Sequence, residues 1–484
     1  MTDASGDLPP ATFRAAMHRA ADMVADYLER VGSYPVMPRI KPGDVRAMLP
    51  GAPPEHGESL DTLLDDYRRL IEPNVTHWNH PGFLAYFGIT GSAPGILGEV
   101  LTAGLNTQAM LWRTGPAPTE LEEHVCDWLR QLMGLPAAFR GHINDTASMS
   151  TLLAMAAARH RARPDLLAQG MAGRADLPAL TLYASAHAHS AIDKAAIALG
   201  IGVQNLRRIP VDDAFRMDVA ALEAAIAADR RAGRLPIAVL ATVGTTYTTS
   251  IDPVPDIVRI ARREGMWLHV DAAYAGSAAI CPEYRALMAG MEDADSIVTN
   301  PHKWLFTPMD CSVLLLRDPD ALRAAFALAP LAILYERDQG ATNLSDYGPQ
   351  LGRRFRSLKL WFVLRAYGAE GLRARIRGQC ALAQAFAGWV RAEPGFEVCA
   401  PVPFSTVCFR ATPPGDGAAQ DAFNEQLLAE VNAAGPVFLS HTQLRDRYVL
   451  RLAIGNIRTT EEHVATAWRL VREAAAAPRA QGRR

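Results

Sequence analysis

Lys303 sits in the run Ser-Ile-Val-Thr-Asn-Pro-His-Lys-Trp-Leu, residues 296 to 305. Ser296 to Thr299 reads as a short buried strand that Pro301 stops. A lysine placed directly after such a strand, between His302 and Trp304, is poorly suited to be a solvated surface charge. Lysine forms Schiff bases with carbonyl cofactors, and burial lowers its pKa toward that task. Polar residues end other apolar runs as well. Ala184-Ser-Ala-His-Ala-His-Ser190 carries His189, Gly244-Thr-Thr carries Thr246, and His269-Val-Asp-Ala-Ala-Tyr274 carries Asp271. Each has a plainer reading: a helix cap for His189, a turn hydroxyl for Thr246, a buried arginine partner for Asp271. Finding all of them at strand ends together with Lys303 is much less expected by chance than finding any one.

The elements that must position these residues follow from the hydrophobic pattern. After Gly170, apolar runs at Leu180–Ala184, Asn205–Pro210, Ile237–Val243, Trp267–Asp271, Ser296–Thr299 and Ser312–Leu316 predict strands. Helical spacing between them, near 190–199, 218–232, 254–264 and 283–289, predicts a mostly parallel sheet with helices on both faces. Ligands of such sheets lie off the carboxyl ends of the strands. Upstream, Gly141-His-Ile-Asn-Asp-Thr-Ala-Ser-Met-Ser-Thr151 leads into an alanine-rich helix. Small and hydroxylic residues at a helix start suit a phosphate, and they equally suit an ordinary N-cap. Past 319 comes a helix (Ala321–Leu328), then a polar loop at about 331–349, then Leu351–Trp361, which reads as a basic helix start. Beyond about 372 a long helix reaches Arg391. Strands at Phe396–Cys399, Thr406–Phe409, Pro436–Leu439 and Val449–Ala453, with helices near 419–433 and 460–475, suggest a smaller α+β domain.

The N-terminal region differs. Residues 12–31 have helical spacing ended by Gly32 and Pro35, and a proline-punctuated link and further short helices follow to about 71. No run of strands gives this region a core, so its apolar faces need the main domain or a second subunit. The stretch His77-Trp-Asn-His-Pro-Gly-Phe-Leu-Ala-Tyr-Phe-Gly88 concentrates aromatics and turn formers, as a site-lining loop or a hydrophobic turn anchoring the arm would. We place the arm at 1–90, a large cofactor-binding domain at 91–370 and a small C-terminal domain at 371–484. The length of 484 residues agrees with two to four domains at about 150 residues each. With a formal net charge of -2 and no apolar run of spanning length, neither nucleic acid nor membrane is an expected partner. The six cysteines form no Cys-x-x-Cys pair, so no metal site or disulfide framework is indicated. A polar N-terminus without a signal core then points to the cytoplasm.

Together Lys303 can bond an aldehyde, Asp271 can keep a pyridine nitrogen protonated, and His189 can stack on the ring. Ala147 and Ser148 with Asn300 can hold a phosphate. Pyridoxal 5'-phosphate requires these parts. The chain also resembles the group II pyridoxal-phosphate-dependent amino-acid decarboxylases, and within them the aromatic-L-amino-acid decarboxylases, over about residues 12–475. The stretches that carry the likeness are Asn300-Pro-His-Lys-Trp-Leu305, His269-Val-Asp-Ala-Ala-Tyr-Ala-Gly-Ser277, Ser185-Ala-His-Ala-His-Ser190, Gly244-Thr-Thr246 and Gly352-Arg-Arg-Phe-Arg-Ser-Leu-Lys359.

The resemblance implies fold type I, the aspartate-aminotransferase-like α/β fold, and a homodimer with its site at the interface. It implies that Lys303 is the Schiff-base lysine, Asp271 the pyridine-nitrogen partner and His189 the stacking residue. Ala147, Ser148 and Asn300 match phosphate contacts, Thr246 a cofactor hydrogen bond, and His302 the histidine beside the lysine. Trp78, Tyr86 and Phe87 match the substrate pocket, with Gln108 and Met110 from the partner subunit; Gly352 matches a position where glycine accompanies indolic substrates. The implied reaction is decarboxylation of an aromatic L-amino acid such as tryptophan, 5-hydroxytryptophan or dihydroxyphenylalanine to the amine. The family's loop tyrosine, however, matches Ala332, and the nearest tyrosine is Tyr335. Relatives lacking that tyrosine divert the reaction to an aldehyde, ammonia and peroxide, so the aldehyde-forming alternative stays open.

Overall fold

Runs of branched apolar residues separated by amphipathic helices build the centre of the molecule. The computed structural model describes residues 6–327 and 340–477. Its strands are β1 (Arg140–Asn144), β2 (Leu180–Ser185), β3 (Leu206–Ile209), β4 (Leu235–Thr242), β5 (Trp267–Asp271), β6 (Ser296–Thr299) and β7 (Ser312–Leu316). They form one seven-stranded sheet in the order β1-β7-β6-β5-β4-β2-β3. Neighbours from β3 through β2, β4 and β5 to β6 run parallel, whereas β7 is antiparallel to both β6 and β1. The double reversal points β1 the same way as β6, so the carboxyl ends of β1, β2, β4, β5 and β6 share one edge of the sheet. Buried strands covered on both faces explain why β2, β5, β6 and β7 lack hydrophobic alternation.

A second sheet, in the order β10-β11-β9-β8, is antiparallel: β8 (Phe396–Val398), β9 (Thr406–Ala411), β10 (Ser440–Leu444) and β11 (Arg447–Ala453). The helix Ser357–Ala392 links the two sheets and is broken at Gly368, whose φ is 61°. Helix Ala93–Leu105 lies against it so closely that a Cβ on Gly98 would meet the Lys359 Cα at 2.7 Å.

Two sequence readings need correction. β1 was not expected, because Arg-Gly-His-Ile-Asn offers a single branched apolar residue; its pairing with β7 comes from tertiary context. Pro436–Leu439 is not a strand. Only Phe438 of that stretch makes an isolated bridge, to Phe83, and the strand starts at Ser440. The segment around Phe83 thereby joins the small sheet: Leu84 donates to the Phe438 carbonyl and Ala453 donates to the Leu84 carbonyl, both within 2.9 Å. On helix Pro10–Arg30 only Met23 is buried, and Phe13, Met17 and Val24 are exposed. Among the described residues no helix is long and apolar enough to cross a membrane.

Candidate active site

β6 delivers Lys303 one turn past its end, in the short helix Pro301–Trp304. The lysine Nζ lies 5.4 Å from the centre of the Phe87 ring. Burial lowers the pKa of the ammonium and so does the nearby Arg451 guanidinium, while the Asp271 carboxylate acts in the opposite sense. A neutral amine, the form that attacks carbonyls, is thereby favoured. His302 is buried beside it, with Nδ1 accepting the Cys311 N–H at 2.9 Å. Burial and the Lys303 charge push it down to about 3, so its imidazole is neutral.

Asp271 ends β5, is 6% exposed, and accepts the Ala273 N–H at 3.0 Å. The loop after β2 carries His189 into the cleft, where its Nδ1 accepts the Ala191 N–H at 3.1 Å. Desolvation lowers the pKa of this imidazole, Asp271 raises it and Lys303 lowers it. The structure therefore brings Lys303, Asp271 and His189 into one electrostatic neighbourhood. After β4, Gly244 adopts φ +86° and comes so close to the segment after β5 that a Cβ would meet Ala275 Cβ at 2.6 Å. Thr246 follows on the exposed part of that turn.

At the end of β1, helix Ala147–Ala162 begins without a side-chain cap, because the Thr146 hydroxyl donates instead to Asp145. This separates the two readings left open by the sequence. The first-turn N–H groups at Ala147 and Ser148 have no capping oxygen, and the N-terminal dipole faces the shared sheet edge. Asn300 is buried with its side-chain oxygen position unpartnered. A lysine amine, a buried carboxylate, an open helix start and an unsatisfied amide are together a donor set that fits pyridoxal phosphate.

Behind Lys303 stands a column of planar groups. Arg451 covers one face of Phe87 at 4.6 Å, Tyr274 stacks on Phe87 at 3.9 Å, and Trp304 stacks on Tyr274 at 4.4 Å. Arg451 also donates to the Tyr86 carbonyl at 2.6 Å, fixing a residue whose φ is +52°. Trp78 stacks on Phe83 and lies 6.0 Å from Tyr86. Of the expected pocket residues, Trp78 and Tyr86 thus pack with Phe83, whereas Phe87 stacks on Tyr274 beside Lys303. Arg451 was missed in the sequence, although a lone charge inside Val449-Leu-Arg-Leu452 was the available signal.

Gln108, Met110 and Gly352 form a separate group. Gln108 Oε1 accepts the Arg353 N–H at 2.6 Å, the Met110 carbonyl accepts the Ser345 N–H at 3.0 Å, and a Cβ on Gly352 would lie 3.3 Å from Gln108 Nε2. Among the described residues no hydrogen bond or ring contact ties them to Lys303. Ala332 and Tyr335 lie outside the described residues.

Fold and site define a fold type I pyridoxal-phosphate enzyme. The sequence model of the pyridoxal-dependent decarboxylase conserved domain matches residues 42–412. Phenylacetaldehyde synthase of Arabidopsis thaliana is 41% identical over 95% of this chain and 94% of its own. Tryptophan decarboxylase 2 of Oryza sativa subsp. japonica is 41% identical over 96% and 94%. The crystal structure of Oryza sativa TDC with PLP and tryptamine superposes with a TM-score of 0.92 at 37% identity, covering 97% of this chain and 99% of that one. The chain belongs to the pyridoxal-dependent decarboxylase family.

Proposed function

We propose that this protein removes the α-carboxylate of aromatic L-amino acids and releases the amine and CO2. The observation that carries the substrate class is the Phe87 ring, 5.4 Å from the Lys303 amine, in a loop that also carries the packed pair Trp78 and Tyr86. Relatives named for tryptophan decarboxylation and phenylacetaldehyde synthesis support the same class. Bound pyridoxal phosphate supplies an electron sink for the pair left on Cα when CO2 departs. Lys303 would hold the cofactor covalently. Asp271 would keep the ring nitrogen protonated, and His189 would pack on the ring. The N–H groups of Ala147 and Ser148 with the Asn300 amide bind the phosphate; Thr246 and neutral His302 contribute hydrogen bonds. The aromatic side chains orient the substrate side chain and exclude water.

The active unit in this reading is a cytoplasmic homodimer. Exposed Phe13, Met17 and Val24 of the arm, and Leu97, Leu101 and Leu105 of helix Ala93–Leu105, supply apolar surface for a second copy. Gln108 and Met110 then face the partner's site. We divide the chain into an arm (1–90), a large domain (91–370) and a small domain (371–484).

A second reading has its own support. Ala332 stands where the family's loop tyrosine is expected, and a phenylacetaldehyde synthase is 41% identical. In that reading O2 accepts the Cα electrons, and the amino acid, O2 and water give aldehyde, CO2, ammonia and hydrogen peroxide. Turnover of tryptophan, tyrosine, dihydroxyphenylalanine and glutamate, with amine, CO2 and peroxide all measured, separates the readings. Amine without peroxide supports decarboxylation, and equimolar peroxide and ammonia support the second reading. A higher kcat/KM for glutamate than for tryptophan would overturn the aromatic assignment.

A further inference from the structure

Among the described residues β1 is an edge strand, paired only with β7. An edge normally leaves backbone groups to water. Here side chains replace the missing strand. Glu122, from the helix Pro116–Leu132, accepts the Ile143 N–H at 2.8 Å, and Arg353 donates to the Ile143 carbonyl at 2.9 Å. The two side chains also bond each other, Nη2 to Oε1, at 2.7 Å. The remaining Arg353 amine meets His142 Nε2 at 2.7 Å. Burial and the Arg353 charge hold the pKa of His142 far below its ordinary value, so His142 is neutral and its Nε2 accepts. Glu122, His142 and Arg353 are all at most 6% exposed.

The same arginine grips the opposite side of the group around Gly352. Its N–H donates to Gln108 Oε1 and its carbonyl accepts the Ala109 N–H at 3.1 Å. From Ile143 the connection runs on into the phosphate end. Asn144 donates to Ser150 Oγ at 3.1 Å, inside the helix that starts at Ala147. One residue therefore ties the segments, its backbone holding Gln108 and Ala109 and its buried side chain anchoring that backbone to the strand that sets the open helix start.

We propose that Arg353 is a positioning residue that holds the wall at Gln108 and Gly352 in register with the phosphate-binding helix start at Ala147. The Gln108 arm rests on the pocket reading given above; the helix arm does not. A surface ion pair would have little leverage, but this one is desolvated and its geometry fixes backbone atoms on both sides. The hydrogen bonds of Arg353 run to Gln108, Ala109, Glu122, His142 and Ile143 and, among the described residues, not to Lys303 or Asp271, so its loss acts on binding at both ends while the reacting groups stay in place.

The test uses the full-length holoenzyme and three variants. Arg353→Lys keeps the charge but cannot reach three acceptors in one plane. Glu122→Gln with Arg353→Met removes both charges together, so no unpaired ion is left buried if Arg353→Lys fails to fold. Gln108→Ala cuts only the tie to the wall. For either Arg353 variant, loss of pyridoxal phosphate on dilution, followed by visible absorbance, should be about tenfold faster, and KM for tryptophan about tenfold higher with kcat within about threefold. Gln108→Ala should raise KM alone. A lowered melting temperature with cofactor loss and KM both at wild-type values would make the cluster merely structural and overturn the proposal. Should the wild type turn over no aromatic amino acid, the substrate reading fails, and the cofactor-loss arm still decides the role of Arg353.

Discussion

Asp271 accepts one backbone N–H through Oδ1, and among the described residues no hydrogen bond reaches its other oxygen. A carboxylate held this way, 6% exposed, is suited to a cationic partner supplied from outside the chain. Asp271→Asn keeps the shape and removes the charge that stabilises a protonated ring nitrogen. We expect kcat to fall by at least about a hundredfold, a loss of roughly 2.7 kcal/mol, with visible cofactor absorbance retained. Near-normal turnover by the variant would remove the electron-sink role. Placement of Lys303, Asp271 and His189 was legible in the sequence because each follows a strand whose apolar run stops abruptly. Arg451 and Arg353 were not legible. Their partners are the Tyr86 carbonyl and Glu122, hundreds of residues away, and no local period encodes those contacts.

Among the elements, β5, β6 and β7 have the predicted boundaries, since a buried strand is a bounded run of branched residues. The edges were harder. β1 is held by β7 and by side chains instead of by its own composition, whereas the long helix Ser357–Ala392 begins inside the basic segment read as a helix start. That helix and Ala93–Leu105 meet at Gly98, where Lys359 is 1% exposed and paired with Glu99. Gly98→Ala sets two effects against each other. Helix propensity favours alanine by about 1 kcal/mol. The added Cβ would sit 2.7 Å from backbone that cannot rotate away, and such overpacking costs about 1–3 kcal/mol. We expect the steric term to win and the melting temperature to fall. A stabilised variant would mean that the two helices separate freely.

At the scale of the whole molecule, buried histidines set the response to acid. Burial pushes both His80 and His269 down to about 4. Unfolded, each has its ordinary value near 6.5, so between about 6.5 and 4 the unfolded chain binds more protons. Stability therefore falls as pH drops through that window, by roughly 2 kcal/mol per histidine at pH 5. Asp252, raised to about 6 by burial, acts in the opposite sense, because its unfavourable charge is relieved by protonation. Its relief is worth about 1 kcal/mol at pH 5 and does not cancel the histidines. The urea midpoint should be lower at pH 5 than at pH 7.5, and an equal or higher midpoint at pH 5 would contradict this balance.

The bridge between Phe83 and Phe438 has a consequence for the order in which a ribosome could complete the molecule. The strands that carry His189, Asp271 and Lys303 have all been synthesised by residue 316. The partners that hold the Phe83–Tyr86 segment, Phe438, Arg451 and Ala453, are added only after residue 437. During elongation, then, the nascent chain has the lysine and its carboxylate before it can fix the aromatic surface that would select a substrate. Early sequence waits on late sequence, and residues 438–453 decide when that surface can form.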